Sequence, residues 1–199
     1  IVPLDSPGFE IVRDVETMGG KHNHPEVRYN DVRVPKENLL GERGGGHKLG
    51  QVRLGPARLA HCMRWLGQIE MALEMLIDRA QKRFAHGSLL SEKQSIQWMM
   101  SDSAMELYSS KLMVLHAAYK IENGMEFKQE VSMAKHHVAN TLWRVVDRAM
   151  QVHGALGYST DTPLAGMMQQ ARWARLADGA DEVHQMRIAE LLMQAYNAD

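Results

Sequence analysis

One carboxylate in this chain has a setting suited to removing a proton. Asp178 lies within Arg172-Trp173-Ala174-Arg175-Leu176-Ala177-Asp178-Gly179-Ala180-Asp181-Glu182-Val183-His184, on a flexible hinge between two helical stretches. Leu176, Ala177 and Ala180 around it are apolar, and Gly179 has no side chain to block an incoming molecule, so the carboxylate can face a dry cavity and act as a base. The same residues allow a plainer reading. An Asp before Gly, with Asp181 and Glu182 soon after, is also how an ordinary helix begins, with Asp178 as its cap. A second stretch, Gln151-Val152-His153-Gly154-Ala155-Leu156-Gly157-Tyr158, follows directly on a helical pattern. It serves either as a helix C-cap or as a place where small residues let a pyrophosphate approach backbone amides while Gln151 bonds a polar edge. Arg83, just before His86-Gly87, can neutralise a helix end or bind a phosphate.

Other chemistries find less support. His22-x-His24 and His136-His137 have no companion Cys or carboxylate at metal-ligand spacing, and solvent-facing histidines are the expectation, with no metal site. There is no Glu-x-x-His pair of the di-iron kind, no Gly-x-Ser-x-Gly elbow and no phosphate-binding Gly-Lys-Ser/Thr loop.

The elements that must carry these residues are mostly helices. Residues 1 to about 45 hold short β-like runs at Phe9 to Val12, Glu26 to Tyr29 and Asp31 to Val34, too few to enclose a core, and they read as the C-terminal part of a β domain. Gly44-Gly45-Gly46 marks a boundary, and residues 46 to 199 read as a helical bundle domain. Leu59, Cys62, Leu66, Ile69, Leu73, Leu76 and Ala80 fall at alternating steps of three and four, one stripe along a long helix. Ser91-Glu92-Lys93-Gln94 has the form of a capping box, with Ser91 accepting from the Gln94 amide, and opens a second stripe through Ile96, Met100, Leu107, Val114, Ala117 and Ile121 that Asn123-Gly124 ends. A third stripe runs through Val131, Ala134, Val138, Thr141, Val145, Ala149 and Val152, and a final helix covers Asp181 to Ala195. The predicted fold is mainly α, an antiparallel helical bundle preceded by a partial β domain. The fifteen methionines lie mostly among the stripes and are expected to fill core space.

Composition narrows the partners. Twenty-three Lys and Arg against 24 Asp and Glu, interspersed, argue against a nucleic-acid groove or an anionic membrane surface. The single cysteine, Cys62, cannot form an internal disulfide and reads as a small core residue of a reducing, soluble compartment. No apolar run is long enough for a membrane span, and no signal peptide is seen. A chain opening at Ile1 inside a strand-like stretch is expected to be part of a longer polypeptide.

The order Arg58, Arg83-Phe84-Ala85-His86-Gly87, Gln94, Gln151-Val152-His153-Gly154-Ala155-Leu156-Gly157, Ala177-Asp178-Gly179 closely resembles the C-terminal half of the acyl-CoA dehydrogenases. Glu26 to Gly41 also resembles the end of that family's middle β domain. The Ala-Asp-Gly-x-Asp-Glu-Val-His form is similar to a branch whose base is Asp in place of the commoner Glu, shorter by one carbon-carbon bond, ~1.5 Å. The resemblance implies that Asp178 is the proton acceptor, that Gly179 adjoins an acyl-CoA thioester, and that Gly55 and Arg58 lie on the acyl-CoA side. It implies FAD held by Arg83, Ala85 and Gln94 of one subunit and by Gln151, Gly154 and Ala155 of its neighbour, with Ala180 and Glu182 as further flavin contacts. A homodimer or homotetramer and electron transfer to an electron-transfer flavoprotein are implied likewise. The compartment is left open between bacterial cytoplasm, mitochondrial matrix and peroxisome. The family's N-terminal helical domain and the first half of its β domain have no counterpart here, so the chain by itself is expected to lack activity. Two readings follow: the C-terminal portion of a flavin-dependent acyl-CoA dehydrogenase, which would keep Asp178, Arg83 and Gln151 for chemistry, and a non-catalytic helical oligomerisation or binding module derived from the family.

Overall fold

The computed structural model describes residues 1–197, apart from the side chains of residues 21–23. His22 of the His22-x-His24 pair therefore lies outside the described residues. The chain divides into two compact units, Ile1–Leu54 and Gly55–Asp199.

The first unit is built on one antiparallel hairpin, β1 (Phe9–Thr17) with β2 (Gly20–Tyr29), Phe9 opposite Tyr29 and Thr17 opposite Gly20. The Phe9 and Tyr29 rings meet edge to face at 5.2 Å, the kind of cross-strand pair that fixes register. Gly8 is needed where it stands: its φ is +89°, and a Cβ would lie 2.1 Å from the Asn30 carbonyl oxygen. The third β-like run, Asp31 to Val34, does not form a strand. Asp31 adopts φ 47°, which turns the chain away from the ladder directly after β2. Among its described residues none is buried, as expected of strands too few to close a core.

The second unit is the helical bundle. Helix α1 (Gly46–Lys82) runs across the boundary between the units. It is followed by a short hairpin of β3 (Phe84–Ala85) and β4 (Ser88–Leu89), then α2 (Gln94–Glu122), α3 (Lys128–His153), α4 (Ala155–Tyr158), α5 (Leu164–Ala174) and α6 (Asp181–Tyr196). Helix α3 is the hub. All seven positions of its predicted stripe are buried, with Ala139, Leu142 and Val146 beside them. Its register against α2 is pinned by charge: Glu106 accepts from Arg144 Nε at 2.8 Å and from Arg148 Nη1 at 2.9 Å, and Lys120 Nζ lies 2.5 Å from Glu130 Oε1. Rising numbers on one helix match falling numbers on the other, so the pair is antiparallel. In α1 the predicted stripe is buried except for half-buried Leu66, with Trp65 and Ala72 added. Cys62 is fully buried, and burial pushes its thiol up to about 12, an inert core group.

Three expectations need correction. The capping box does not form: Ser91 sits in a 3-10 turn, Leu90–Glu92, and Lys93 precedes α2 without a side-chain cap. That turn carries the Ser91 side chain away from the Gln94 amide, and the Ser91 carbonyl accepts from Gln97 Nε2 at 2.9 Å instead. On α2 the fully covered residues are Ser103, Ser110, Val114 and Ala117, while Ile96, Met100, Leu107 and Ile121 flank the core half-buried. Small serines allow α2 close against α3, and Ser103 Oγ satisfies itself on the Met99 carbonyl at 2.6 Å. The methionines divide: Met167 is buried and Met75, Met99, Met100, Met113, Met150 and Met168 pack half-buried against the core, as expected, whereas Met63, Met71, Met105, Met186 and Met193 are exposed. The exposed ones lie on α1, α2 and α6, outside the core cluster.

Candidate active site

Asp178 and Gly179 both have left-handed backbones, φ 53° and φ 114°. This double reversal is why Asp178 does not cap α6. The N-cap is Ala180, with no side-chain bond, and the Asp178 carboxylate turns toward α1, where its Oδ2 lies 3.1 Å from His61 Nε2. Nor is the segment a loose hinge. The amides of Leu176 and Ala177 donate to the Trp173 carbonyl, and the Asp181 amide donates to the Arg175 carbonyl at 3.1 Å.

Two cations grip the two reversed residues. Arg58 Nε donates to the Asp178 carbonyl at 2.8 Å, and Lys135 Nζ donates to the Gly179 carbonyl at 2.6 Å. Lys135 is fully buried. Its burial, helped by the Arg58 charge, pulls the ammonium pKa below the ordinary lysine range, against the partial support of the Asp181 and Asp178 charges. Gly179 admits no substitute easily, since a Cβ there would stand 2.8 Å from His184 Nε2. Two residues further, Asp181 is buried and accepts from Arg175 Nε at 2.7 Å and Asn140 Nδ2 at 3.0 Å. Burial pushes its carboxyl up, but those bonds and the nearby His136 and Arg175 charges outweigh it and hold the group below the usual carboxylate range. His136 and His137 are therefore not solvent-facing as expected: both are half-buried, His136 Nδ1 lies 3.6 Å from Asp181 Oδ1, and His137 Nε2 lies 3.2 Å from Ser109 Oγ. Glu182 is exposed in the first turn of α6.

The structure thus gathers Arg58, Asp178, Gly179, Ala180 and Glu182 in one place. Gly55 stands one turn before Arg58 on α1, its Cα packed so that a Cβ would meet the Phe127 ring at 3.3 Å. Arg83, Ala85, Gln94, Gln151, Gly154 and Ala155 are elsewhere. Arg83 and Gln94 bracket the β3–β4 hairpin, whose ends are tied by the Leu90 amide donating to the Arg83 carbonyl at 2.9 Å. The Ser103–Arg148 bond, 3.1 Å, sets the start of α2 beside the end of α3, so Gln151 and Gly154 share that end of the bundle. Gln151 is about 24 Å along α3 from Lys135 at the helical rise per residue. Gly154 ends α3 with φ 65° and ψ −140°, the helix C-cap expected of it, and nothing lies within 4 Å of where its Cβ would be. Gly157 is structural: a Cβ there would press to 2.7 Å from the Met150 carbonyl oxygen. Arg83, Gln94, Gln151 and Ala155 are exposed around this open surface.

Sequence reasoning missed His61 and Lys135. Each carried a faint signal. His61 follows Arg58 by three positions and so shares its helix face, and Lys135 interrupts an otherwise apolar run on α3. Among the described residues no group of three or more His, Cys, Asp or Glu is arranged to hold a metal, and no helix is long and apolar enough to cross a membrane.

Residues 44–193 match the family described as acyl-CoA dehydrogenase, C-terminal domain. The chain is 42% identical over 193 residues to the protein named probable acyl-CoA dehydrogenase FadE2 of Mycobacterium tuberculosis, covering 95% of this chain and 47% of that one. It is 39% identical over 200 residues to acyl-CoA dehydrogenase family member 11 of Rattus norvegicus, covering 98% of this chain and 26% of that one. The butyryl-CoA dehydrogenase structure from Megasphaera elsdenii superposes with a TM-score of 0.86 at 30% identity, covering 95% of this chain and 50% of that chain. With this fold and these matches, the chain belongs to the acyl-CoA dehydrogenase family of flavoprotein oxidoreductases, in its C-terminal helical region. It spans about half the length, or less, of these relatives.

The buried His184 gives the site a pH signature. Burial, helped by the Lys135 and Arg58 charges, pushes its imidazole from an ordinary 6.5 down to about 4. Between those values the unfolded chain binds the proton and the folded one does not, so stability falls as pH drops through this window. The loss is up to about 3 kcal/mol from this group. His137, also pushed down, by burial and the Arg144 charge, adds to the same slope. Urea midpoints at pH 7 and pH 4.5 should fall less steeply for His184→Leu than for wild type, and an unchanged slope would contradict the assignment.

Proposed function

We propose that this chain is the C-terminal portion of an FAD-dependent acyl-CoA dehydrogenase in which Asp178 removes the proton from the carbon beside the thioester. The observation that carries this reading is the grip on Asp178: a carboxylate with only 23% of its side chain exposed, on a reversed backbone whose two consecutive carbonyls are each held by a cation. A helix cap would need no such fixture. The α-hydrogen of a thioester is weakly acidic, so a base must be held at fixed reach while the thioester carbonyl is polarised by hydrogen bonds. Gly179, lacking a side chain, leaves room for the thioester beside the carboxylate, and Gly55 and Arg58 lie on the acyl-CoA side. By family resemblance, part of the acyl pocket and the cover over one face of the flavin belong to parts of the longer relatives that this chain does not span.

The residues at the Gly154 end fit a dinucleotide. Its open backbone can meet a pyrophosphate, with Arg83 supplying charge and Gln94, Gln151, Ala85 and Ala155 lining the approach from the same copy, in place of the division between two subunits that the resemblance implied, while Ala180 and Glu182 adjoin the flavin at the Asp178 end. FAD, when bound, supplies the acceptor for the β-hydrogen, and the product is a trans-2-enoyl-CoA. The separation of the two ends within one chain supports a cofactor shared between copies. So does the outer face of α2, where Trp98, Met105, Tyr108, Leu112, Leu115 and Tyr119 are exposed at steps of seven, three and four, a stripe suited to a partner helix. A homodimer or homotetramer is the assembly we infer, with an electron-transfer flavoprotein as the onward acceptor by family resemblance.

In the flavin-loaded protein that contains these residues, Asp178→Asn should leave FAD content unchanged and nearly abolish bleaching of the flavin by acyl-CoA. Undiminished bleaching would rule Asp178 out as the base. A protein that neither carries FAD nor takes it up would favour the oligomerisation module instead. Replacing Leu112 and Leu115 together with Glu should shift the sedimentation coefficient to a smaller species; an unchanged assembly would show that α2 is not the contact face.

A further inference from the structure

His61 takes no part in the reading above. It lies on α1 one turn after Arg58, half-buried, with its ring stacked on Trp65 at 5.5 Å and against the edge of Trp173 at 5.6 Å. The two indoles also meet each other edge to face, at 6.4 Å, so the imidazole sits in a corner formed by two large rigid rings. Both of its nitrogens are engaged. Nδ1 lies 2.7 Å from Arg64 Nη2, and Nε2 lies 3.1 Å from Asp178 Oδ2. A guanidinium can only donate, so Nδ1 accepts and the ring hydrogen resides on Nε2, facing the carboxylate. Oδ2 is sealed from solvent and accepts no hydrogen bond of regular geometry, and the His61 imidazole, 3.1 Å away, is the one basic group within ion-pair distance of it among the described residues. The other charged or titratable groups around the turn address its backbone. Arg58 and Lys135 hold the carbonyls of Asp178 and Gly179, and the His184 ring faces the Asp178 backbone.

We propose that His61 is a positioning residue for Asp178: an Arg64–His61–Asp178 chain occupies Oδ2, fixes the rotation of the carboxylate and presents Oδ1 to the carbon that gives up its proton. The cations on the backbone set where the side chain starts, and His61 sets which way its end faces. Arg64 chooses the tautomer. Without it the ring could turn a bare nitrogen toward the carboxylate and repel it. This inference rests on the reading of Asp178 as the base, and its test keeps the two apart.

The test uses the flavin-loaded protein and four variants, His61→Phe, His61→Gln, Arg64→Leu and Asp178→Asn, each checked for unchanged FAD content. His61→Phe keeps a ring between the tryptophans but no donor, and should lower the saturating rate of flavin reduction by acyl-CoA by about 10²-fold, the scale of a misplaced reacting group, with little change in KM. His61→Gln restores an N–H donor and should recover most of that loss. A second readout does not depend on turnover. In protein labelled with 15N-histidine, the imidazole signals that vanish in His61→Gln should report hydrogen on Nε2, and Arg64→Leu should convert them to a mixture of tautomers. A wild-type rate in His61→Phe, a His61→Gln variant as slow as His61→Phe, or hydrogen on Nδ1 in the wild type would each overturn the role of His61 while the loss in Asp178→Asn leaves the base standing. An active Asp178→Asn would remove both.

Discussion

The arrangement of the site depends on two cations and two adjacent carbonyl oxygens. Arg58 and Lys135, from different helices, bind consecutive peptide groups at a turn where the backbone reverses at two successive residues. A non-glycine residue in the left-handed region is strained by roughly 1–2 kcal/mol, and Asp tolerates it better than most. A hydrogen bond to a charged group contributes on the order of 1.5–3 kcal/mol, so two of them suffice to hold the turn. Burying Lys135 fully is costly in itself, and the site offsets that cost with the Gly179 carbonyl and the charges of Asp181 and Asp178 nearby. The consequence is geometric. Once both carbonyls are fixed inward, the direction of the Asp178 side chain follows, and α6 must begin at Ala180 instead of at Asp178.

The rest of the bundle serves that geometry. Lys135 is placed by α3, whose apolar stripe is covered on all sides and whose slide against α2 is fixed by Glu106 between two arginines. Arg58 and His61 are placed by α1, held to α5 through Gln68 and Gln170 and to α2 through Lys111 and Glu70. The Asp181 carboxylate, bonded to Arg175 before the turn and Asn140 on α3, closes the segment from behind. A shift of any one helix would be felt as a change in the reach of one carboxylate.

The sequence made the helices legible in proportion to how evenly each is surrounded. Helix α3, enclosed by neighbours, shows its buried positions as a clean periodic stripe. Helix α2 has one face on the core and an apolar face outward, so hydrophobicity alone could not tell which was which, and Ser103 and Ser110 were passed over although they lie deepest. The run at Asp31 to Val34 has strand composition, but composition does not supply a ladder partner, and the left-handed Asp31 removes it from the hairpin. In the site, Asp178, Gly179 and Arg58 were legible because they stand in short motifs. His61 and Lys135 were not, because what makes them matter is their meeting with residues distant in sequence, which only the packing of α1, α3 and the turn brings about.

Proton removal from the α-carbon can be watched without the oxidation that follows it. An acyl-CoA ester with no β-hydrogen, incubated in heavy water with the flavin-loaded protein, should take up deuterium beside the thioester at a rate visible by NMR. That uptake should disappear in Asp178→Asn while FAD and ester remain bound. Equal uptake by the two proteins would mean that another group takes the proton and that the clamped carboxylate has a different purpose.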